Sequence, residues 1–98
     1  ILKRDVLLEG PTSKPITTLA WCTGGGQGFI EQAVERGVDA FITGEVSEQT
    51  VHTAREMGIT FLAAGHHATE RYGVKSLGEH IAEHFDVTVE FIDIDNPA

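Results

Sequence analysis

Apolar positions along the chain follow two rhythms, and their alternation predicts the fold. Compact apolar runs at Ile16 to Cys22, Val38 to Thr43 and Ile59 to Ala64 have the length and β-branched content of buried strands. Between them the spacing becomes helical. Phe29, Ile30, Ala33 and Val34 share a face that Gly37 closes, and Val51 and Ala54 mark a helix over Glu48 to Met57, capped by Ser47 and ended by Gly58. A longer pattern from about His67 to Phe85 carries the stripe Val74, Leu77, Ile81 and Phe85, weakened by Gly73 and Gly78. The alternation of Val87, Val89 and Phe91 predicts a last strand over Val87 to Ile94, with Glu90, Asp93 and Asp95 directed to solvent or an interface.

Strands alternating with helices in this way predict an α/β fold: a mostly parallel sheet in βαβαβαβ order, right-handed crossovers, and helices packed on the sheet. Trp21 and Phe41 are expected in the core. Residues 1–9 form an apolar and charged lead-in, and Gly10-Pro11-Thr12-Ser13-Lys14-Pro15 reads as a linker. Residues 16–98 are then a single α/β domain.

Composition narrows the function classes. A length of 98 residues suits one core, and an opening Ile1 rather than Met leads us to expect a processed or truncated piece whose lead-in continues from an N-terminal part. No apolar run reaches membrane-span length, and a single cysteine excludes an intrachain disulfide, so a reducing, cytoplasmic setting is expected. The formal charge of -8 disfavours a nucleic-acid backbone as the partner and suits cations better. Most of the acids, among them Glu31, Glu35, Glu48, Glu56, Glu79 and Glu83, fall where solvated helix surface is expected in any case.

Candidate chemistry centres on Gly65-His66-His67-Ala68-Thr69-Glu70. His66 and Glu70 are four apart at a helix start, which puts an imidazole and a carboxylate on one face of the first turn. Such a pair is half of a site for Zn²⁺, Mn²⁺ or Fe²⁺; the competing reading is a helix terminus with an acid favoured by the dipole. An internal repeat weighs on that choice. Ala33-Val34-Glu35-Arg36-Gly37-Val38-Asp39 recurs as Ala54-Arg55-Glu56-Met57-Gly58-Ile59-Thr60, and the same offset of 21 carries Gly44-Glu45 onto Gly65-His66. With Thr23-Gly24-Gly25 ending the first strand, the three strand ends fall on the carboxyl edge of a parallel sheet, where ligands of open α/β folds bind. Glu45 and His66 are therefore candidates for one site.

Other features carry less. His67 diverges from His66 by about 100° on a helix, which suits a supporting role, a subunit contact or a second metal. His80 lies fourteen residues, about 21 Å, along the helix from His66, so neither it nor His84 can join that coordination sphere. His52 is expected on the surface. The run Gly24-Gly25-Gly26-Gln27-Gly28 lacks the third glycine of a dinucleotide fingerprint and the lysine of a phosphate loop, although backbone N–H groups there could hold an anionic substrate. Cys22 shows no local histidine partner and reads as an inert, buried thiol.

The segments Trp21-Cys22-Thr23-Gly24-Gly25-Gly26, Asp39-Ala40-Phe41-Ile42-Thr43-Gly44-Glu45, Ala64-Gly65-His66-His67-Ala68-Thr69-Glu70-Arg71 and Phe91-Ile92-Asp93-Ile94-Asp95-Asn96-Pro97-Ala98 resemble the C-terminal half of the YbgI family, the GTP cyclohydrolase I type 2 homologues. The resemblance spans nearly all of residues 4–98. It implies a toroidal homohexamer with a centre of two divalent metal ions per chain. The family's H-x-x-x-E motif supplies metal ligands, which carries over to His66 and Glu70, while a His-His pair and an Asp come from an N-terminal half that this chain does not contain. Thr23, Gly24, Gly25, Glu45 and His67 are then candidates for substrate contact or support of the ligands. The function so implied is the C-terminal part of a dinuclear metal-dependent hydrolase whose substrate is unassigned, nucleotide-like only through the family's label. Its rival is a metal-binding scaffold or regulatory protein without turnover.

Overall fold

The computed structural model describes residues 2–98. Its elements are β1 (Leu7–Glu9), β2 (Leu19–Cys22), a 3₁₀ turn (Gln27–Phe29), α1 (Ile30–Glu35), β3 (Ala40–Thr43), α2 (Glu48–Met57), β4 (Thr60–Ala63) and α3 (His66–His84). They form an α/β fold around a four-stranded mixed sheet in the order β1-β4-β3-β2. The pairs β2–β3 and β3–β4 are parallel, whereas β1 joins β4 antiparallel.

Two expectations about the sheet change here. Residues 7–9, read as part of a lead-in, are a strand, with Leu7 opposite Ala63 and Glu9 opposite Phe61. The segment 87–94, expected as the last strand, belongs to no ladder among the described residues. The element order is thus ββαβαβα, and the two changes share one cause. The next strand of a right-handed crossover would pair beside β4, and β1 already fills that edge. Arg55 clamps β1 there, its Nε and Nη2 donating to the two carboxylate oxygens of Glu9 at 2.9 Å each.

The core lies on one face of the sheet. Phe41 and Phe61 are paired across β3 and β4, their ring centroids 6.1 Å apart, and Ile30 and Ala33 of α1, Ala54 of α2, Ile59 and Ala63 close around them. On the opposite face the register aligns Trp21, Ile42, Leu62 and Leu8 in one row. Among the described residues no such layer closes over that row, so Trp21 is 72% exposed rather than in the core. Strand alternation explains the split: Ala20 and Cys22 turn toward the helices, Leu19 and Trp21 away from them.

Local chemistry sets the element ends. The Ser47 Oγ accepts from the Thr50 N–H while the Ser47 N–H donates to Thr50 Oγ1, a reciprocal cap, and α2 ends at Gly58 in the left-handed region. Asp39 performs the equivalent task before β3. Its Oδ2 accepts from the backbone N–H and hydroxyl of both Thr17 and Thr18, at 2.8 to 2.9 Å, and those four donors hold its carboxyl far below the usual carboxylate range. The entry to β2 is thereby tied to the entry of β3.

α3 breaks the compact outline. Its first turns lie against the sheet edge, but from Gly73 onward most of its residues are exposed, including Val74 and Leu77 of the apolar stripe, and Phe85 just past its end is exposed too. After Phe85 the chain reverses and runs back beside the helix, with Val89 and Phe91 forming a groove with Val74, Leu77, Gly78 and Ile81. Arg71 Nη1 donates to Asp93 Oδ2 at 2.9 Å, Arg4 Nη1 to the Pro97 carbonyl at 3.2 Å, and the His67 N–H to Ala98 O at 3.1 Å. The result is an outline of 52 × 26 × 22 Å and a radius of gyration of 15.9 Å, against about 13 Å for a compact chain of this length. No helix among the described residues is long and apolar enough to cross a membrane.

Phe61 is wholly buried at the centre of the core, so Phe61→Ala should cost about 3–5 kcal/mol of unfolding free energy by urea titration. A loss below about 1 kcal/mol would mean that the paired rings do not organise the core. Asp39→Asn should lower the melting temperature at neutral pH. Because the folded-state value of Asp39 is depressed, the native advantage over this variant is full above about pH 5 and shrinks as pH falls through that depressed value. A difference that stays constant down to strongly acidic pH would contradict the anchoring role.

Candidate metal centre

The three parallel strands end in register, with Cys22 opposite Thr43 and Thr43 opposite Ala63, so the loops that follow them emerge side by side. Thr43 is fully buried and ties these loops together. Its hydroxyl donates to the Gly24 carbonyl at 3.2 Å and accepts from the Gly26 N–H at 3.0 Å, and the Gly44 N–H also donates to Gly24 O, at 2.9 Å. A second threonine joins the loop to the helix. Thr69 Oγ1 accepts from the Gly24 N–H at 3.0 Å and donates back to the Gly65 and His66 carbonyls at the start of α3.

Glycine makes this convergence possible at two positions. A Cβ on Gly44 would stand 2.5 Å from Gly24 O and 2.7 Å from His66 Cα, both rigid backbone atoms. Gly24 has φ +66°, and a Cβ there would collide with Glu70 Oε1 and stand 3.1 Å from His66 Nε2. The glycine loop is therefore pressed onto the His66–Glu70 pair, which gives it a role that needs no phosphate.

His66 sits between two carboxylates. Its Nδ1 is 2.6 Å from Glu45 Oε1, and its Nε2 is 3.1 Å from Glu70 Oε2. The ring and both carboxylates are about half exposed. Glu45 is itself steadied by Gln27, whose Nε2 donates to Oε2 at 3.3 Å, and a Cβ on Gly25 would meet the Glu45 carboxyl at 3.6 to 3.7 Å. The hydrogen bond with Glu45, and then the charge of Glu70, raise the His66 pKa above the ordinary histidine value; the same hydrogen bond lowers that of Glu45. The extra stability that the imidazolium charge adds to this contact is fully present below the unfolded histidine value of about 6.5 and is lost as pH rises through the raised folded value, leaving a neutral hydrogen bond.

The two sides of the ring differ in what they can do. Two donors that share one divalent cation at about 2.0 to 2.2 Å each stand about 2.8 to 3.6 Å apart, the short end for right-angled and the long end for tetrahedral coordination. The 3.1 Å between His66 Nε2 and Glu70 Oε2 falls in that range as well as within hydrogen-bond reach, while the 2.6 Å on the Glu45 side is too short for a shared ion and fits only a direct hydrogen bond. His66 and Glu70 thus fit a divalent cation as two of its ligands. Among the described residues no group of three or more His, Cys, Asp or Glu side chains is placed to hold a metal ion.

The remaining candidates divide cleanly. Gly24 and Glu45 are brought against the His66–Glu70 pair and Gly25 lies against Glu45; Thr23 is exposed just past the end of β2. His67 turns the other way, with its Nε2 buried and 3.9 Å from Asp93 Oδ1 on the returning tail. His80 and His84 stack on each other, centroids 4.1 Å apart, at the far end of α3, and His52 is exposed beside Glu48. Cys22 is half-buried against the core and lies under Gly26, where a Cβ would meet its Sγ at 2.7 Å. Sequence reading passed over Thr43 and Thr69. The recurrence of Thr immediately before the Gly at the ends of β2 and β3 was the available signal for the first.

The chain is 70% identical over 98 residues to a Yersinia pestis protein named GTP cyclohydrolase 1 type 2 homolog, and 64% identical over 98 residues to the protein of that name from Escherichia coli K12. Each match covers 99% of this chain and 40% of the relative. Among solved structures, protein ybgI, described as of unknown function, superposes with a TM-score of 0.92 at 58% identity, over 99% of this chain and 40% of that one. A protein from Thermus thermophilus superposes with a TM-score of 0.82 at 28% identity, over 95% of this chain and 37% of its own. The chain therefore spans about 40% of the length of these relatives. A match over residues 2–97, nearly every residue described, shows that the chain belongs to the Duf34/NIF3 (NGG1p interacting factor 3) family.

Proposed function

We propose that this chain supplies the C-terminal share of a metal centre, with His66 Nε2 and Glu70 as its ligands, in a metal-dependent hydrolase of the Duf34/NIF3 family. The observation that carries the reading is the 3.1 Å separation of these two donors on the first turn of α3, at the sheet edge where three loops converge. Two protein ligands leave most coordination positions to water, so the complete centre draws its other ligands from elsewhere in the full-length protein, a His-His pair and an Asp by resemblance. Two divalent cations there would polarise a substrate oxygen and generate a nucleophile from water at neutral pH.

The chain's own residues supply placement. Thr69 and Gly24 lock the first turn of α3, so the His66 and Glu70 side chains leave one rigid element in a fixed relation. The exposed Thr23 and Gly25 flank Gly24, which is pressed on the pair, and are the candidates for touching a small substrate, whose nucleotide-like character rests on the names of the relatives. Self-association into a ring of six belongs to the same reading, and the exposed Val74, Leu77 and Phe85 are compatible with such burial. The acidic balance, -8, supports a cation rather than nucleic acid as the charged partner.

Metal analysis tests the reading directly. This chain alone should retain far less than one equivalent of zinc or manganese after desalting, whereas a chain extended to the length of its relatives should retain about two. His66→Ala and Glu70→Ala in the extended chain should each lower that content and abolish metal-dependent hydrolysis in a substrate screen. Full metal content in both variants would overturn the ligand assignment. Metal-dependent binding without turnover of any substrate class would favour a scaffold or regulatory role instead.

A further inference from the structure

Glu45 carries no role in the chemistry above, yet it makes the shortest polar contact at the site. We infer that Glu45 is a positioning residue: it takes the Nδ1 proton of His66 in a hydrogen bond, and so fixes the tautomer in which Nε2 is the free donor beside Glu70. The inference rests on the metal-ligand reading of His66 and Glu70 and adds the residue that makes one of those ligands competent.

The chemistry of each group fixes where the proton sits. An ionised carboxylate only accepts hydrogen bonds, so at 2.6 Å from Glu45 Oε1 the Nδ1 of His66 must carry a hydrogen. A neutral imidazole has one N–H, and placing it on Nδ1 leaves the lone pair on Nε2. That nitrogen is 3.1 Å from Glu70 Oε2, within the range open to two ligands of one cation. Without Glu45 the preference reverses. Glu70 is then the remaining carboxylate beside the ring and favours the proton on Nε2, where it blocks the very atom that would bind metal. The contact also sets the plane of the ring, because Glu45 is held from the other side by Gln27 and lies against Gly25. A carboxylate behind a metal-binding histidine acts this way widely, orienting the ring and making the donor nitrogen more basic.

The position of Glu45 fits the role better than ligation. It follows β3, whereas both proposed ligands are on the first turn of α3, and its carboxylate is on the opposite side of the imidazole from Glu70. One ion could not accept Glu45 and His66 Nε2 together without breaking the 2.6 Å contact.

Imidazole nitrogen spectroscopy of this chain tests the inference. Above the titration range of His66, two-bond ¹H–¹⁵N correlations should show a protonated Nδ1 and a bare Nε2; Glu45→Ala should move the proton to Nε2 or leave a mixture. Zinc titrations followed on the same resonances should show Glu45→Ala binding about 10- to 100-fold more weakly. Glu45→Gln keeps an acceptor oxygen for Nδ1–H and should restore the larger part of that loss, whereas a direct ligand would not be rescued. An unchanged tautomer in Glu45→Ala, or equal losses in the Ala and Gln variants, would overturn the positioning role while His66→Ala still abolished binding. Zinc affinity indifferent to His66→Ala would instead sink the ligand reading on which the inference rests. Amide spectra of each variant confirm that the comparison is between folded proteins.

Discussion

Everything at the functional edge depends on the parallel register that sets Cys22, Thr43 and Ala63 side by side at the ends of three strands. Thr43, at the middle of that row, turns a backbone coincidence into a fixed surface. Its single hydroxyl satisfies both a carbonyl and an N–H of the glycine loop in a place closed to water. Buried polar groups demand such pairing, so the loop has one place to lie. The loop in turn meets α3 through Thr69, and at Gly24, with φ +66°, a side chain would be strained and would displace the Glu70 carboxylate.

This arrangement explains why the His66–Glu70 pair is more than a helix-surface coincidence. Side chains four apart on an exposed helix meet often, and their contact is worth little. Here the same pair is walled by Gly24 on one side and by Glu45 behind the ring, in a cluster assembled from three loops distant in sequence. The pair is also incomplete. Two donors, the exposed Trp21 and Leu8 at the two ends of a row whose Ile42 and Leu62 are half-buried, and a helix carrying the exposed Val74 and Leu77 describe a chain with more surface prepared for contact than it uses.

Much of this was legible in the sequence, for identifiable reasons. α2 was read to its residue because Ser47 and Gly58 mark its ends chemically, and the offset of 21 placed Glu45 and His66 together because a repeated βα unit returns equivalent residues to the same sheet edge. What escaped was decided by competition rather than by local pattern. The alternation of Val87, Val89 and Phe91 is sound strand patterning, but β1 occupies the free edge of β4, and the segment lies along α3 instead. Trp21 was expected inside because large aromatics usually are, and only the register shows that it faces the uncovered side. Thr43 and Thr69 gave little warning, since a threonine's value as a tie depends on partners 19 and 45 residues away.

The central claim, that this chain contributes one imidazole nitrogen and one carboxylate to a metal centre, is open to a direct count of ligands. X-ray absorption at the zinc edge of the zinc-loaded chain should show a single imidazole with the remaining neighbours oxygen, at about 2.0 to 2.2 Å. Two or more imidazoles around the ion, or a spectrum unchanged by replacing His66, would contradict the account.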